Sequence, residues 1–425
     1  MTPVTRLTPE LRAKYLGRRS ALAGGVKEAV EAIYADFRKD PDGTIRTLAK
    51  KFDKVDLKDL EVSAEEVATA EERLPQNVQA AIRSMYDSVV RYHKQDLDKS
   101  FEIQPIKGVS LGKMIVPFDR AGLYVPGGLA VYPSCVIMAA APAVVAGVKQ
   151  LVLCTPPTAD GKIPDAVLFA AMVCGVAHIY KIGGAQAVFA MAYGTPTVPK
   201  CEIITGPGNA YVTAAKKLVQ DEVAIDFLAG PTELLVLSDG STNPKFIAAE
   251  LIGQAEHSPD TCCVLVTVSE EQAKAVDAEM ELQAKQCERA EIIRKSMSTQ
   301  GGLLVANTFD DAVQFTNDFA AEHLTVSTQK PIEILKRIKA AGSVFLGEYS
   351  PVAVGDYGIG PNAILPTYGE SLRRGGLSAN TYTRPIFYQL LSKEGLQNVA
   401  PTATTLARVE NLQAHQRSIE VRLGK

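Results

Sequence analysis

Apolar residues recur every three to four positions through VKEAVEAIYADFRK, SAEEVATAEERLP and PQNVQAAIRSMYDSVVRYHKQ, with charge between them. That period lays an apolar stripe along one side of each segment and predicts a helical first hundred residues. VSLGKMIVPF then reads as strand. From Ala121 the texture changes to short apolar runs alternating with longer helical patterns. The strands GLYVPGG, LVLCTPP, HIYKIGG and CEIITGPGN are each followed by a helix, in turn SCVIMAAAPAVVAGV, PDAVLFAAMVCGV, AQAVFAMAYG and AYVTAAKKLVQDE, and AIDFLAGPTELLVLSD closes the series. A second block repeats the alternation. Helices NPKFIAAELIGQAEH, EEQAKAVDAEMELQAKQ, DDAVQFTNDFAA and PIEILKRIKAA interleave with strands CCVLVTV, GGLLVAN, LTVST and GSVFLGEYS.

Short buried strands separated by helices make βαβ units and parallel sheets. The expected fold class is therefore α/β, with two Rossmann-like but incomplete parallel-sheet lobes. A helical segment precedes them, and a polar, helical C-terminal tail follows from about Gly375, ending in RVENLQAHQRSIEVRL.

Composition narrows the function classes. The chain has 425 residues, enough for two or three lobes sharing a core. Lys plus Arg number 45 against 48 Asp plus Glu, a net charge of -3, so no basic excess grips a nucleic acid backbone. MTPVTRLTPELRAKYLGRR carries no apolar core of a signal peptide. The uncharged stretch Ala121–Val148 contains Pro126, Pro133 and Pro142, which argue against a membrane span. The seven cysteines form an odd set without a C-x-x-C pair, and read as small buried hydrophobes in a reducing compartment. The expectation is a cytoplasmic protein acting on a small molecule, with neither nucleic acid nor membrane as partner.

Candidate chemistry is sparse because histidine is sparse. Gln254 and His257 lie at i and i+3 near a helix end stopped by Ser258–Pro259. One face carries both, so they suit either a divalent metal or the helix's last carbonyls. Glu322–His323 sits between a helix and the strand LTVST, at what reads as a βα edge. A carboxylate beside an imidazole offers two proton carriers, or simply a polar turn. Asp356 lies in a Gly- and Pro-rich loop, as ligand or turn former. Glu410 and His415 are about 140° apart on a predicted helix, so spacing alone makes them a solvated face. TGPGNAYVTAAKK opens a helix after a strand and could meet an anion, although Tyr211 stands where a dinucleotide fingerprint has its third glycine.

In order, RAGLYVPGG, GGAQAV, GPGNAYVTAAK, IDFLAGPTE, GQAEHSPD, AAEHL, AGSVFLGEYSPVAVGDY and ILPTYG resemble the histidinol dehydrogenase family. Each block is ordinary; the ordered set is specific. The resemblance implies a homodimeric, zinc- and NAD-dependent enzyme that oxidises L-histidinol to L-histidine through L-histidinal, a last step of histidine biosynthesis. Carried over residue by residue, it makes Gln254, His257, Asp356 and His415 the ligands of one zinc per subunit, with His415 lent by the other subunit. Glu322 and His323 become the catalytic pair. Thr232 and Glu410 join the metal ligands and His323 around the substrate, and Tyr124, Gln186 and Asn209 contact NAD. The implied organisation is an arm at 1–21, a metal-bearing lobe of 22–120 plus 236–374, a nucleotide-side lobe of 121–235, and a swapped tail at 375–425.

Two stretches depart from the family pattern. Ala363 in GPNAILPT stands where the family has a histidine, and RRGGLSANTYTRPIFYQLLSKEGL diverges, with Pro385 in a stretch expected to be helix. Ala363 favours a paralog oxidising another polar alcohol as the alternative reading. A silent scaffold of the same fold does not explain the retained polar set, and a metal hydrolase does not explain the nucleotide-side blocks.

Overall fold

The computed structural model describes residues 1–20, 25–127 and 130–425; Gly128 of the LYVPGG turn lies outside them. Strand β1 (Val4–Arg6) opens the chain. After a helical stretch come β2 (Phe101–Ile106) and β3 (Val109–Pro117). Next are β4 (Arg120–Tyr124), β5 (Gln150–Thr155), β6 (His178–Lys181), β7 (Ile203–Thr205) and β8 (Ala224–Ile225). A further series holds β9 (Glu233–Ser238), β10 (Cys262–Thr267), β11 (Gly302–Val305), β12 (His323–Ser327) and β13 (Ser343–Leu346), and β14 (Thr383–Leu391) comes last.

The two expected parallel sheets are present. One has the order β6-β5-β4-β7-β8, the other β1-β11-β10-β9-β12-β13. Within each consecutive series the order is 3-2-1-4-5, so the two lobes repeat one doubly wound plan, with the second sheet extended by β1. The central strands are buried along their length, as in LLVL of β9 and CVLV of β10.

The lobe boundaries differ from those expected. Within the expected arm of 1–21, the described residues join the larger sheet: β1 pairs in parallel with β11, and the Tyr15 hydroxyl donates to the Gly301 carbonyl at 2.7 Å. In the six-stranded sheet the consecutive run of strands starts at Glu233 rather than 236. The helices between Val26 and Asp96 pack on the other lobe. Val30, Phe37 and Ile45 share a core with Tyr180 and Phe189, while Ile82, Met85 and Val89 pack with Val136 and Phe169. The amphipathic stripes of these helices were legible, but a stripe does not say which sheet it covers.

The tail is also corrected. Residues 383–391 form a strand, β14, which pairs antiparallel with β3 along its whole length. β3 also pairs with β2, making a third, antiparallel sheet. Pro385 fits there because β14 is an edge strand. Helices Lys393–Val409 and Gln413–Glu420 complete the tail. Tyr382 anchors its base: wholly buried, its hydroxyl lies 2.7 Å from both Thr205 Oγ1 and the Ala139 carbonyl.

Candidate active site

The polar centre of the larger sheet lies where β9 and β12 run side by side, with His323 in register with Leu234. The end is the unexpected one. Glu322 and His323 stand at the amino end of β12, and Glu233 at the amino end of β9, so this is not the carboxyl-side βα edge read from sequence. The Glu233 backbone grips both residues. Its N–H donates to Glu322 Oε2 at 2.8 Å, and its carbonyl lies 3.2 Å from His323 Nδ1. Nδ1 also lies 3.5 Å from Glu322 Oε2. His323 Nε2 is buried and has no hydrogen-bond partner. Burial acts to lower the imidazole's pKa, but the Glu322 carboxylate, helped by Asp356 and the Glu233 carbonyl, outweighs it and holds the value at about 9.

Beside this pair, Gln254, His257 and Asp356 line one cleft of about 310 Å³. Pro244 and the Asn243 cap start the helix Pro244–Ala255, which buries Gln254 near its end. His257 follows on the turn after it, its N–H donating to the Gln254 carbonyl at 3.1 Å. Asp356 comes from the short helix Val352–Tyr357, and its Oδ1 is 3.9 Å from His323 Nε2. Burial raises the Asp356 pKa, against the pull of His323 and His257 and a hydrogen bond from Gln254. Amide, imidazole and carboxylate thus meet in one half-enclosed cleft, a donor set that suits a divalent cation of the zinc type and lacks a fourth ligand. Among the described residues no group of three or more His, Cys, Asp and Glu side chains is placed to hold a metal. A second cavity of about 240 Å³ adjoins, with His323, Asp356, Phe345, Ile359 and Ala363 in its wall. Thr232 is half-buried next to Glu233, its carbonyl accepting from Cys262 N–H.

The residues expected on the nucleotide side stand at the carboxyl end of the smaller sheet, Tyr124 and Asn209 at β4 and β7, its switch point, and Gln186 after β6. Tyr124 ends β4, and its hydroxyl accepts from the Gly184 N–H at 3.1 Å. Gln186 is buried in the helix Gly184–Tyr193. Asn209 caps the helix Ala210–Val219, accepting from the N–H groups of Tyr211 and Val212. Gly206 has a φ of +113°, and a Cβ there would overlap the Tyr124 carbonyl oxygen, so only glycine lets the loop approach. Beneath the loop, Lys216 and Asp226 form a buried ion pair at 2.6 Å. Lys216 also donates to the Gly206 carbonyl, and Asp226 accepts from the Gly206 N–H at 2.8 Å.

Glu410 and His415 are not brought to the cleft of their own chain. Both are exposed: Glu410 caps the helix Lys393–Val409, which packs on β14, and His415 lies in Gln413–Glu420, which packs on that helix. Sequence reasoning missed Arg18, Glu233, Lys216 and Asp226. Lys216 left a signal: it sits between Val212 and Val219 on the apolar side of its helix, where an unpaired lysine would be costly.

A family model described as histidinol dehydrogenase matches residues 17–423. The histidinol dehydrogenase of Methanothermobacter thermautotrophicus is 44% identical over 394 residues, covering 93% of this chain and 92% of its own. That of Methanocaldococcus jannaschii is 41% identical over 421 residues, covering 99% and 98%. A crystal structure of histidinol dehydrogenase from Elizabethkingia anophelis superposes with a TM-score of 0.94 at 34% identity, covering 100% of this chain and 98% of the other.

Proposed function

The chain belongs to the histidinol dehydrogenase family, and on that premise we propose that it oxidises L-histidinol to L-histidine through L-histidinal, passing one hydride to each of two NAD⁺. It is an oxidoreductase of histidine biosynthesis by this relationship. In the proposed reaction the alcohol loses a hydride and a proton to become the aldehyde. Water then adds, and the hydrate loses a second hydride and a proton to become the acid.

The observation that carries this reading is the buried, unpartnered His323 Nε2, 3.9 Å from Asp356. His323 takes the substrate's hydroxyl proton at Nε2, because Nδ1 is turned to the Glu233 carbonyl. Glu322, held by the Glu233 N–H, takes a proton from the water that attacks the aldehyde. Gln254, His257 and Asp356, with His415 of the partner subunit, would hold one zinc per subunit. When bound, the zinc would orient the substrate's amine and imidazole and add positive charge that lowers the His323 pKa, while the nicotinamide accepts hydride. Thr232 and the partner subunit's Glu410 would contact substrate, and Tyr124, Gln186 and Asn209 would line the nucleotide cleft.

A homodimer is part of the proposal. The antiparallel sheet exposes Phe101, Ile103, Met114, Phe387 and Leu390, with Phe387 72% exposed, and the tail exposes Val409. Phe101, Ile103 and Phe387 share one face of this sheet, and Met114 and Leu390 share the other; apolar surface left bare on both faces suits cover by a second copy. Two features support a cytoplasmic location: the cysteines are free, and none of the described helices is long and apolar enough to cross a membrane.

Ala363 in the wall of the second cavity favours one alternative, a different polar alcohol as substrate. Supplying zinc and NAD⁺ to the protein and screening alcohols by absorbance at 340 nm separates the two. L-histidinol as the fastest substrate supports the main reading; inactivity on it beside turnover of another alcohol replaces it.

A further inference from the structure

Arg18 lies in the short 3-10 turn Gly17–Ser20, about three hundred residues before the catalytic pair in sequence, and reaches beneath it. Its Nε donates to Glu233 Oε1 at 2.6 Å, and one terminal nitrogen donates to Glu233 Oε2 at 3.0 Å, a bidentate pair with side chains 11% and 1% exposed. The same nitrogen donates to the Phe319 carbonyl at 2.7 Å, and the guanidinium lies 3.5 Å over the Phe319 ring. Phe319 ends the helix Phe309–Phe319, and Ala320, at φ +52°, turns the chain toward Glu322. The Tyr368 N–H also donates to Glu233 Oε1 at 3.1 Å, tying in the PTYG loop.

We infer that Arg18 and Glu233 are positioning residues for the Glu322–His323 pair, setting the aim of both through the Glu233 backbone and through the turn after Phe319. The inference rests on the functional reading above for its kinetic consequence. The physical case is local. Glu233 offers one N–H and one carbonyl, and both are spent on the catalytic pair. Strand pairing anchors this peptide on the β10 side, where the Thr232 carbonyl accepts from Cys262 N–H at 3.0 Å, and the Glu233 side chain adds a second tie that backbone pairing does not supply. Burial raises the Glu233 pKa and the neighbouring Glu322 adds repulsion, so without Arg18 its carboxylate would be left buried and uncompensated. The guanidinium's planar fork holds the carboxylate in one orientation, which an ammonium does less well. Neither residue touches the cleft of Gln254, His257 and Asp356, so metal binding and positioning can be read separately.

The test compares Arg18→Leu, Arg18→Lys and Glu233→Gln with the wild type for zinc content, KM and the rate of each oxidation. The expected result for Arg18→Leu and Glu233→Gln is a loss of roughly tenfold or more in kcat of the aldehyde-to-acid step, with KM and zinc content within about twofold of wild type. Arg18→Lys should recover part of the rate. Unchanged kcat in both, or a parallel loss of zinc and of substrate binding, overturns the inference. Amide hydrogen exchange at residues 232–234 gives a readout without turnover: Arg18→Leu should speed exchange of the Glu233 N–H. Unchanged exchange overturns the inference by itself, whereas a wild type inactive on histidinol with the exchange effect present overturns only the functional reading.

Discussion

His323 Nε2 and Asp356 Oδ1 face each other at 3.9 Å, too far for a hydrogen bond, across the seam between a proton-carrying pair and a cation-shaped donor set. The two chemistries are therefore adjacent but separable. His323→Asn should slow the first oxidation by about 10²–10⁴-fold, whereas Glu322→Gln should slow the aldehyde-to-acid step more than the first. Rapid-quench measurement of alcohol, aldehyde and acid separates them; equal losses in both steps for both variants would refute the division.

The Lys216–Asp226 pair lies beneath the GPGN loop with side chains 2% and 0% exposed. Removing one partner strands a buried charge. Lys216→Met should therefore cost about 3–5 kcal/mol in urea unfolding and weaken NAD⁺ binding, since Gly206 loses a support on its carbonyl. A stability loss under about 1 kcal/mol would show that water reaches the pair.

Much of the fold was legible because its strands are short, continuous and apolar, and its helices striped. The site was legible only in part. AEHL and QAEHSPD set polar residues close together in the chain, but spacing leaves each with a structural reading as well, and only the family resemblance assigns them roles. Arg18 and Glu233 escaped because their pairing depends on β1 joining the far edge of a sheet whose other strands lie more than two hundred residues away. β14 was read as helix because nothing near Pro385 announces its partner, β3, some 270 residues earlier. Glu322–His323 stands at the amino end of its strand, whereas Tyr124 and Asn209 stand at the carboxyl ends of theirs, so the carboxyl-end rule describes the latter pair and not the former.

His93 gives the fold a pH signature apart from the site. It is 1% exposed, with Nδ1 3.3 Å from Asp96 and Nε2 3.5 Å from the Asn362 amide, and Tyr92 edge-on. Burial lowers its pKa against the opposing pull of Asp96. The unfolded chain therefore takes up this proton first, near pH 6.5, so stability is full above that value and falls as pH drops toward the lower folded value. His93→Gln should flatten the pH dependence of the urea midpoint in that window. An unchanged slope would exclude His93 as its source.

The exposed positions of Glu410 and His415 make shared sites testable by complementation. Chains carrying His415→Ala and chains carrying Glu322→Gln, each inactive alone, should regain roughly one quarter of wild-type activity when mixed at equal amounts, since half the dimers then hold one intact site. No recovery after verified subunit exchange would mean that the tail serves its own chain or no site.

One metal-organised site is proposed to perform two successive oxidations. Its most direct measurement is the yield of NADH from a limiting amount of L-histidinol, taken before and after chelation and again after zinc is restored. The expected result is about two NADH per substrate, loss of activity on stripping the metal, and its return with zinc. One NADH per substrate with aldehyde accumulating, or full activity in the stripped protein, would contradict it.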